Sequence, residues 1–130
     1  MPSAPALSFA ESALHARLDA CSDAELDALV FGVIGFDAPG LVCRYNHFES
    51  QAAGLSPARV LGHPFFTVVA PCMNNFMVAQ RFEDAEDAAT VLDATLPYVL
   101  TLRMRPVKVQ LRLLAQPGAA WRYVLVQRSG

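Results

Sequence analysis

From residue 96 onward, apolar positions recur every second residue. Leu96, Tyr98, Leu100, Leu102 and Met104 fall on one face of an extended segment, with Pro97, Val99, Thr101 and Arg103 on the other. Pro106 breaks the run. Val107, Val109, Leu111 and Leu113 then alternate with Lys108, Gln110 and Arg112, and a last strand over 121–128 follows the turn at Gln116-Pro117-Gly118. In that strand Trp121, Tyr123 and Leu125 point one way, while Val124 and Val126 point the other. Both faces are apolar, so both need a cover.

The first half of the chain changes period more often. Ser8-Phe9-Ala10-Glu11 and Ser22-Asp23-Ala24-Glu25 both fit the capping box, in which serine and glutamate satisfy free N–H groups at a helix start. They predict two short helices, the first burying Leu14, Leu18 and Cys21, the second Leu26, Leu29 and Val30. Residues 31–36 are apolar and suited to a strand, Asp37-Ala38-Pro39-Gly40 is a turn signal, and 41–45 runs extended again. This is a hairpin whose second strand carries Leu41, Cys43 and Tyr45 on one face by strict alternation. Residues 46–53 read as a short helix closed by Gly54, and Ser56-Pro57 opens another that stops before Gly62. The mostly apolar segment 63–72 leads to a helix starting near Asn75.

A helical pair, two strands, short helices, a longer helix and three strands make an α+β domain. Its five-stranded antiparallel sheet has helices on both faces, the helical pair on one and the remaining helices on the other. Residues 1–30 are read as an N-terminal helical cap and 31–130 as the core of one domain, a length that buries a sizeable interior. Hydrophobic residues make up 54% of the chain, yet no run reaches the roughly 18 apolar residues of a membrane span. The N-terminus lacks a basic region and carries Glu11 in its most apolar part, so a soluble, cytoplasmic protein is expected. Three cysteines without C-x-x-C spacing give no disulfide or zinc framework, and a net charge of -2 with scattered basic residues offers no nucleic-acid stripe. His15, His47 and His63 lack ligand spacing, so no metal site is expected.

Three residues could carry chemistry. Cys72 reads either as a small buried hydrophobe or as a reactive thiolate, since Asn74 and Asn75 place a helix start just after it and a helix dipole stabilises a thiolate. Glu49 on its own reads as a solvated helix residue. Tyr45 reads as a core tyrosine, and its position four residues before Glu49 permits both polar tips to reach one point. A thiol hydrolase built on Cys72 and His63 lacks an orienting acid, so no enzyme is expected.

Phe31-Gly32, Tyr45, Glu49, Val69-Ala70-Pro71-Cys72 and Met104-Arg105-Pro106 together resemble the photoactive yellow proteins, blue-light receptors of the PAS fold. The likeness runs from about Leu26 to Arg128 and is densest over 31–72. It implies that Cys72 carries p-coumaric acid as a thioester, with its phenolate held by Tyr45 and by a buried, protonated Glu49. Burial raises a carboxyl pKa and a neighbouring anion raises it further, so a neutral carboxyl can donate to an oxyanion. Met104 would assist thermal return of the chromophore, and Phe65, Val69 and Leu100, with Phe66 and Tyr98, would wall the pocket.

The resemblance further implies trans–cis isomerisation by blue light, proton transfer from Glu49, loosening of the cap and signalling to a separate protein partner. A weak homodimer is compatible with this; nucleic acid and membrane are not expected partners. The chain departs from the best-known members at Ala53, where they carry a threonine supporting the tyrosine, and at Leu55, where they carry an arginine covering the pocket. The loop after Cys72 is shorter. The alternative is a PAS domain serving as a non-photosensory ligand-binding or dimerisation module.

Overall fold

The structure, a computed structural model, describes residues 7–102 and 105–128. Five strands form one antiparallel sheet: β1 (Gly32–Phe36), β2 (Val42–Tyr45), β3 (Leu92–Leu102), β4 (Arg105–Ala115) and β5 (Arg122–Arg128), in the order β2-β1-β5-β4-β3. The helices are α1 (Leu14–Asp19), α2 (Asp23–Asp27), α3 (His47–Ala53), α4 (Pro57–Val60) and α5 (Ala79–Ala88). Between α4 and α5 the chain makes a π-type turn over Phe65–Val69 and a single 3-10 turn over Pro71–Met73.

Alternation along β4 and β5 splits the interior into two cores. Val109, Leu111, Leu113, Val124 and Val126 face α4, α5 and the two turns, joined by Ile34, Phe36 and Phe65. Leu114, Tyr123 and Leu125 face the N-terminal segment, where Leu14, Leu18, Leu26 and Phe31 pack over them. Each face of the sheet is therefore covered by helices, as the two-sided apolar pattern requires.

Four local expectations need correction. Ser8 and Glu11 do bond each other, but α1 begins only at Leu14, after Ala13 in the left-handed region (φ 53°). The pair closes a turn instead. The second box behaves as the sequence requires, with Ser22 and Glu25 bonded reciprocally at the start of α2, yet Val30 beyond it is 73% exposed. In β2 the register slips by one residue: Ile34 faces Tyr45 and Phe36 faces Val42. This bulge puts Val42 and Tyr45 against the same core and leaves Cys43 exposed, because one extra residue inverts the faces that alternation would assign. Finally, α5 starts at Ala79 rather than near Asn75, whose Oδ1 accepts from the N–H groups of Met77 and Val78 and holds a turn before the helix.

The N-terminal segment is held by more than apolar contact. Arg44 from β2 donates Nη1 to the Leu18 carbonyl at 2.7 Å and Nη2 to that of Cys21, with its guanidinium 4.7 Å from the Trp121 ring centre. Arg112 from β4 donates Nη1 to the carbonyls of Phe9 and Glu11 and binds Asp93 through Nε and Nη2 at 2.8 Å. Two buried arginines thus rise from the sheet into the backbone of the segment above it.

Candidate functional site

Asn46 organises the approach to the site. As N-cap of α3 its Oδ1 accepts from Glu49 N at 3.1 Å and also from Val33 N at 2.9 Å, while Nδ2 donates to the carbonyls of Leu26 and Phe31, each at 2.9 Å. It is fully buried with its hydrogen-bonding capacity used, so it locks β1, α2 and α3 together. His47 N donates to Asp27 Oδ1 at 2.7 Å beside it. Glu49, three residues into the helix, is thereby aimed at β1.

Glu49 is buried, and it lies directly over Gly32. A Cβ at Gly32 would stand 2.0 Å from Glu49 Oε1 and 3.0 Å from its Cδ, so only glycine leaves the carboxyl room. At the end of β5, Arg128 meets the carboxyl with both terminal nitrogens, Nη1 to Oε1 at 2.8 Å and Nη2 to Oε2 at 3.1 Å. The resemblance implies a buried Glu49, and burial is found, with both carboxyl oxygens taken up by the Arg128 fork.

Tyr45, at the end of β2, donates its hydroxyl to the Leu55 carbonyl at 3.3 Å, which also accepts from Ser50 Oγ at 2.8 Å. Burial first, and then the nearby Glu49 charge, push the Tyr45 hydroxyl up to about 12, partly offset by Arg128. Tyr45 therefore stays a proton-bearing donor at neutral pH.

Cys72 lies in the 3-10 turn, partly buried. No helix starts behind it, so the helix-dipole argument for a stabilised thiolate does not apply at this position. Its placement comes from Tyr98 instead, whose hydroxyl donates to the Cys72 carbonyl at 2.6 Å while accepting from Asn75 Nδ2 at 2.7 Å; that amide also donates to the same carbonyl at 3.1 Å.

These side chains meet at one small cavity. Tyr45, Glu49 and Cys72 line it with Val69 and Leu100, and Ala53 and Leu55 add to its wall. Its volume is about 20 Å³, room for roughly one water molecule. Phe65 does not reach it: its ring stacks on Phe36 at 5.3 Å between centres, one layer behind, and Phe66 and Phe82 pack edgewise around that pair. Tyr98 serves as a polar clamp on Cys72 rather than as wall. Met104 lies outside the described residues. Among the described residues no group of His, Cys, Asp or Glu is placed to hold a metal ion, and no helix is long and apolar enough to cross a membrane.

Gly32 and Arg128 are the site residues that reading the sequence for chemistry passes over. A signal for Arg128 exists in the alternation of β5, which puts residue 128 on the face of Val124 and Val126; an arginine there needs a buried acid.

Comparison with known proteins decides the family. The chain is 34% identical over 105 residues to the photoactive yellow protein of Halochromatium salexigens, covering 81% of this chain and 83% of the relative. It is 32% identical over 107 residues to that of Rhodothalassium salexigens, covering 82% and 85%. The chain belongs to the photoactive yellow protein family. Among solved structures, the photoactive yellow protein domain of the sensor histidine kinase Ppr from Rhodospirillum centenum superposes with a TM-score of 0.78 at 37% identity, over 87% of this chain and 98% of that one. A PAS domain from Haloarcula marismortui matches at 17% identity with a TM-score of 0.61, a likeness of fold alone. No protein-family model matches the chain.

Family membership gives the small cavity its meaning. A photoactive yellow protein-like PAS domain is consistent with a photoreceptor, and the two relatives from Halochromatium salexigens and Rhodothalassium salexigens are themselves named photoactive yellow proteins.

Proposed function

We propose that this protein is a blue-light photoreceptor that binds p-coumaric acid as a thioester on Cys72. The observation that carries the reading is the meeting of Cys72, Tyr45 and Glu49 on one otherwise apolar cavity. The donor set suits the ligand: a thiol for attachment, a hydroxyl and a carboxyl for an oxyanion, and the aliphatic walls of Val69 and Leu100 for a planar ring. The volume does not yet suit it, because an aromatic acid needs several times the room present. Entry of the ligand requires the wall over 65–73 to move outward; Val68 within it is 56% exposed and Cys72 is only partly covered.

When bound, the ligand would supply light absorption and trans–cis isomerisation. The chain's residues do the rest. Tyr45 donates throughout. Glu49, once protonated against the ligand's oxyanion, donates to it and gives up that proton when isomerisation disturbs the alignment. The change of charge at Glu49 then acts on α3, whose cap Asn46 grips Leu26 and Phe31. Through these bonds it loosens the cap of residues 1–30, and that surface signals to a downstream protein. On this reading the domain is not an enzyme and works in the cytoplasm. Met104 keeps its proposed part in thermal return, and Phe65 supports the pocket from behind.

Bleaching decides the function. Protein loaded with p-coumaric acid is expected to lose its yellow colour in blue light and regain it in darkness. A loaded protein whose colour ignores blue light would instead favour a PAS module for ligand binding or dimerisation.

A further inference from the structure

One charged side chain of the site has no part in the proposed function. Arg128 turns its guanidinium fork on Glu49, with side chains 17% and 5% exposed respectively, and Gly32 makes the space in which they meet. A carboxylate can accept two parallel N–H bonds, one on each oxygen. A protonated carboxyl has one oxygen committed as a donor, so the fork cannot hold it equally well. Glu49 therefore has two competing partners: Arg128 when ionised, and an anionic oxygen in the cavity when protonated. Among the described residues, Tyr45 from β2 is the other titratable group near the carboxyl, Cys72 opens on the same cavity, and Arg128 faces it as a cation from β5.

We propose that Arg128 is a positioning residue that sets where one proton resides between Glu49 and the phenolic oxygen of the ligand, and that it receives the Glu49 carboxylate after proton release. The inference rests on the reading that the cavity takes a phenolic ligand. On this account the carboxylate formed after light is caught by Arg128. The driving event becomes formation of an ion pair between α3 and the end of β5. The proton moves from the Glu49 carboxyl to the ligand oxygen, no electrons are exchanged, and no further reactant is needed.

The test has one arm without ligand and one with it. In unloaded protein at neutral pH, infrared difference spectra against Glu49→Gln are expected to show a carboxylate in the parent and a protonated carboxyl in Arg128→Gln. In loaded protein, Arg128→Gln is expected to keep its visible band to a pH at least about one unit lower, because one unit is a tenfold change in proton affinity. Its dark recovery should quicken by about tenfold or more, the bleached state having lost its ion pair. Arg128→Lys, which keeps the charge but not the fork, should fall between and guards against a folding defect in the glutamine variant. Identical infrared signatures in parent and Arg128→Gln, or an unmoved visible titration and recovery in loaded protein, would overturn the proposal. Failure of the parent to take up p-coumaric acid would overturn the photoreceptor reading and the ligand half of this inference, while the infrared arm would still decide whether Arg128 sets the charge of Glu49.

Discussion

Replacing Gly32 by alanine isolates what places the Glu49 carboxyl. Gly32 has no left-handed backbone, so alanine is allowed there by conformation, and in a strand it should gain roughly 0.5–1 kcal/mol over glycine. Space reverses the sign. The new Cβ would sit 2.0 Å from Glu49 Oε1, 3.0 Å from Cδ and 3.2 Å from Cβ, contacts that force the side chain aside. Overpacking of this kind costs about 1–3 kcal/mol, and separating a buried ion pair about 3–5 kcal/mol. A net loss of at least about 3 kcal/mol is expected, a large part of the 5–15 kcal/mol typical of a domain. In Glu49→Ala the two closest atoms are gone, leaving only the 3.2 Å contact, and the same substitution should cost under about 1 kcal/mol. Urea unfolding of the parent, both single variants and the double variant measures the coupling, expected at about 2 kcal/mol or more. A Gly32→Ala variant that is more stable than the parent, or that loses equally in both backgrounds, would refute the reasoning.

Asn46→Ala removes four buried hydrogen bonds and should cost about 2–4 kcal/mol in urea unfolding, with faster amide exchange in both α2 and α3 rather than in α3 alone. Hydrogen bonds from Arg112 hold the Asp93 carboxyl below its ordinary value, so that stabilisation is present above the unfolded pKa near 4 and lost as pH falls through the lower folded value. Acid unfolding of Asp93→Asn should accordingly be less steep below pH about 4 than that of the parent. Tyr45, pushed up to about 12, contributes stability that is full below its unfolded pKa of about 10 and lost as pH rises through the folded value, so Tyr45→Phe should blunt alkaline unfolding between those limits. Ala53 lines the cavity near Tyr45, and in loaded protein Ala53→Thr should move the visible band to shorter wavelength by supporting the tyrosine; a shift to the red would count against that role.

Much of the fold is legible because one device repeats. Alternation in the last three strands names both cores, and the Ser22–Glu25 box, Asn46, Gly54 and Ser56-Pro57 punctuate short helices at their true ends. The failures are cases where a local signal has two outcomes. Ser8 and Glu11 make their contact in a turn, Asn75 caps a turn before the helix it announces, and the bulge in β2 depends on pairing with β1, which no periodicity within β2 reveals. The site divides in the same way. Cys72, Tyr45, Glu49, Val69 and Leu100, which line one cavity, are singled out by the resemblance to the photoactive yellow proteins; read alone, Glu49 is a solvated helix residue and Tyr45 a core tyrosine. The Glu49–Arg128 pair spans 79 positions and the room for it depends on a missing Cβ at Gly32, so tertiary approach alone brings them together. The resemblance places Phe65 in the pocket wall, but in the π-type turn its ring stacks on Phe36 instead.

The central claim is that Cys72, Tyr45 and Glu49 hold one ligand. The most direct test mixes purified protein with activated p-coumaric acid and follows intact mass and visible absorption, with Cys72→Ala in parallel. One coumaroyl adduct with a yellow band, and neither in Cys72→Ala, is the predicted result. A folded parent protein that gains no adduct, or an adduct that persists in Cys72→Ala, would contradict the account.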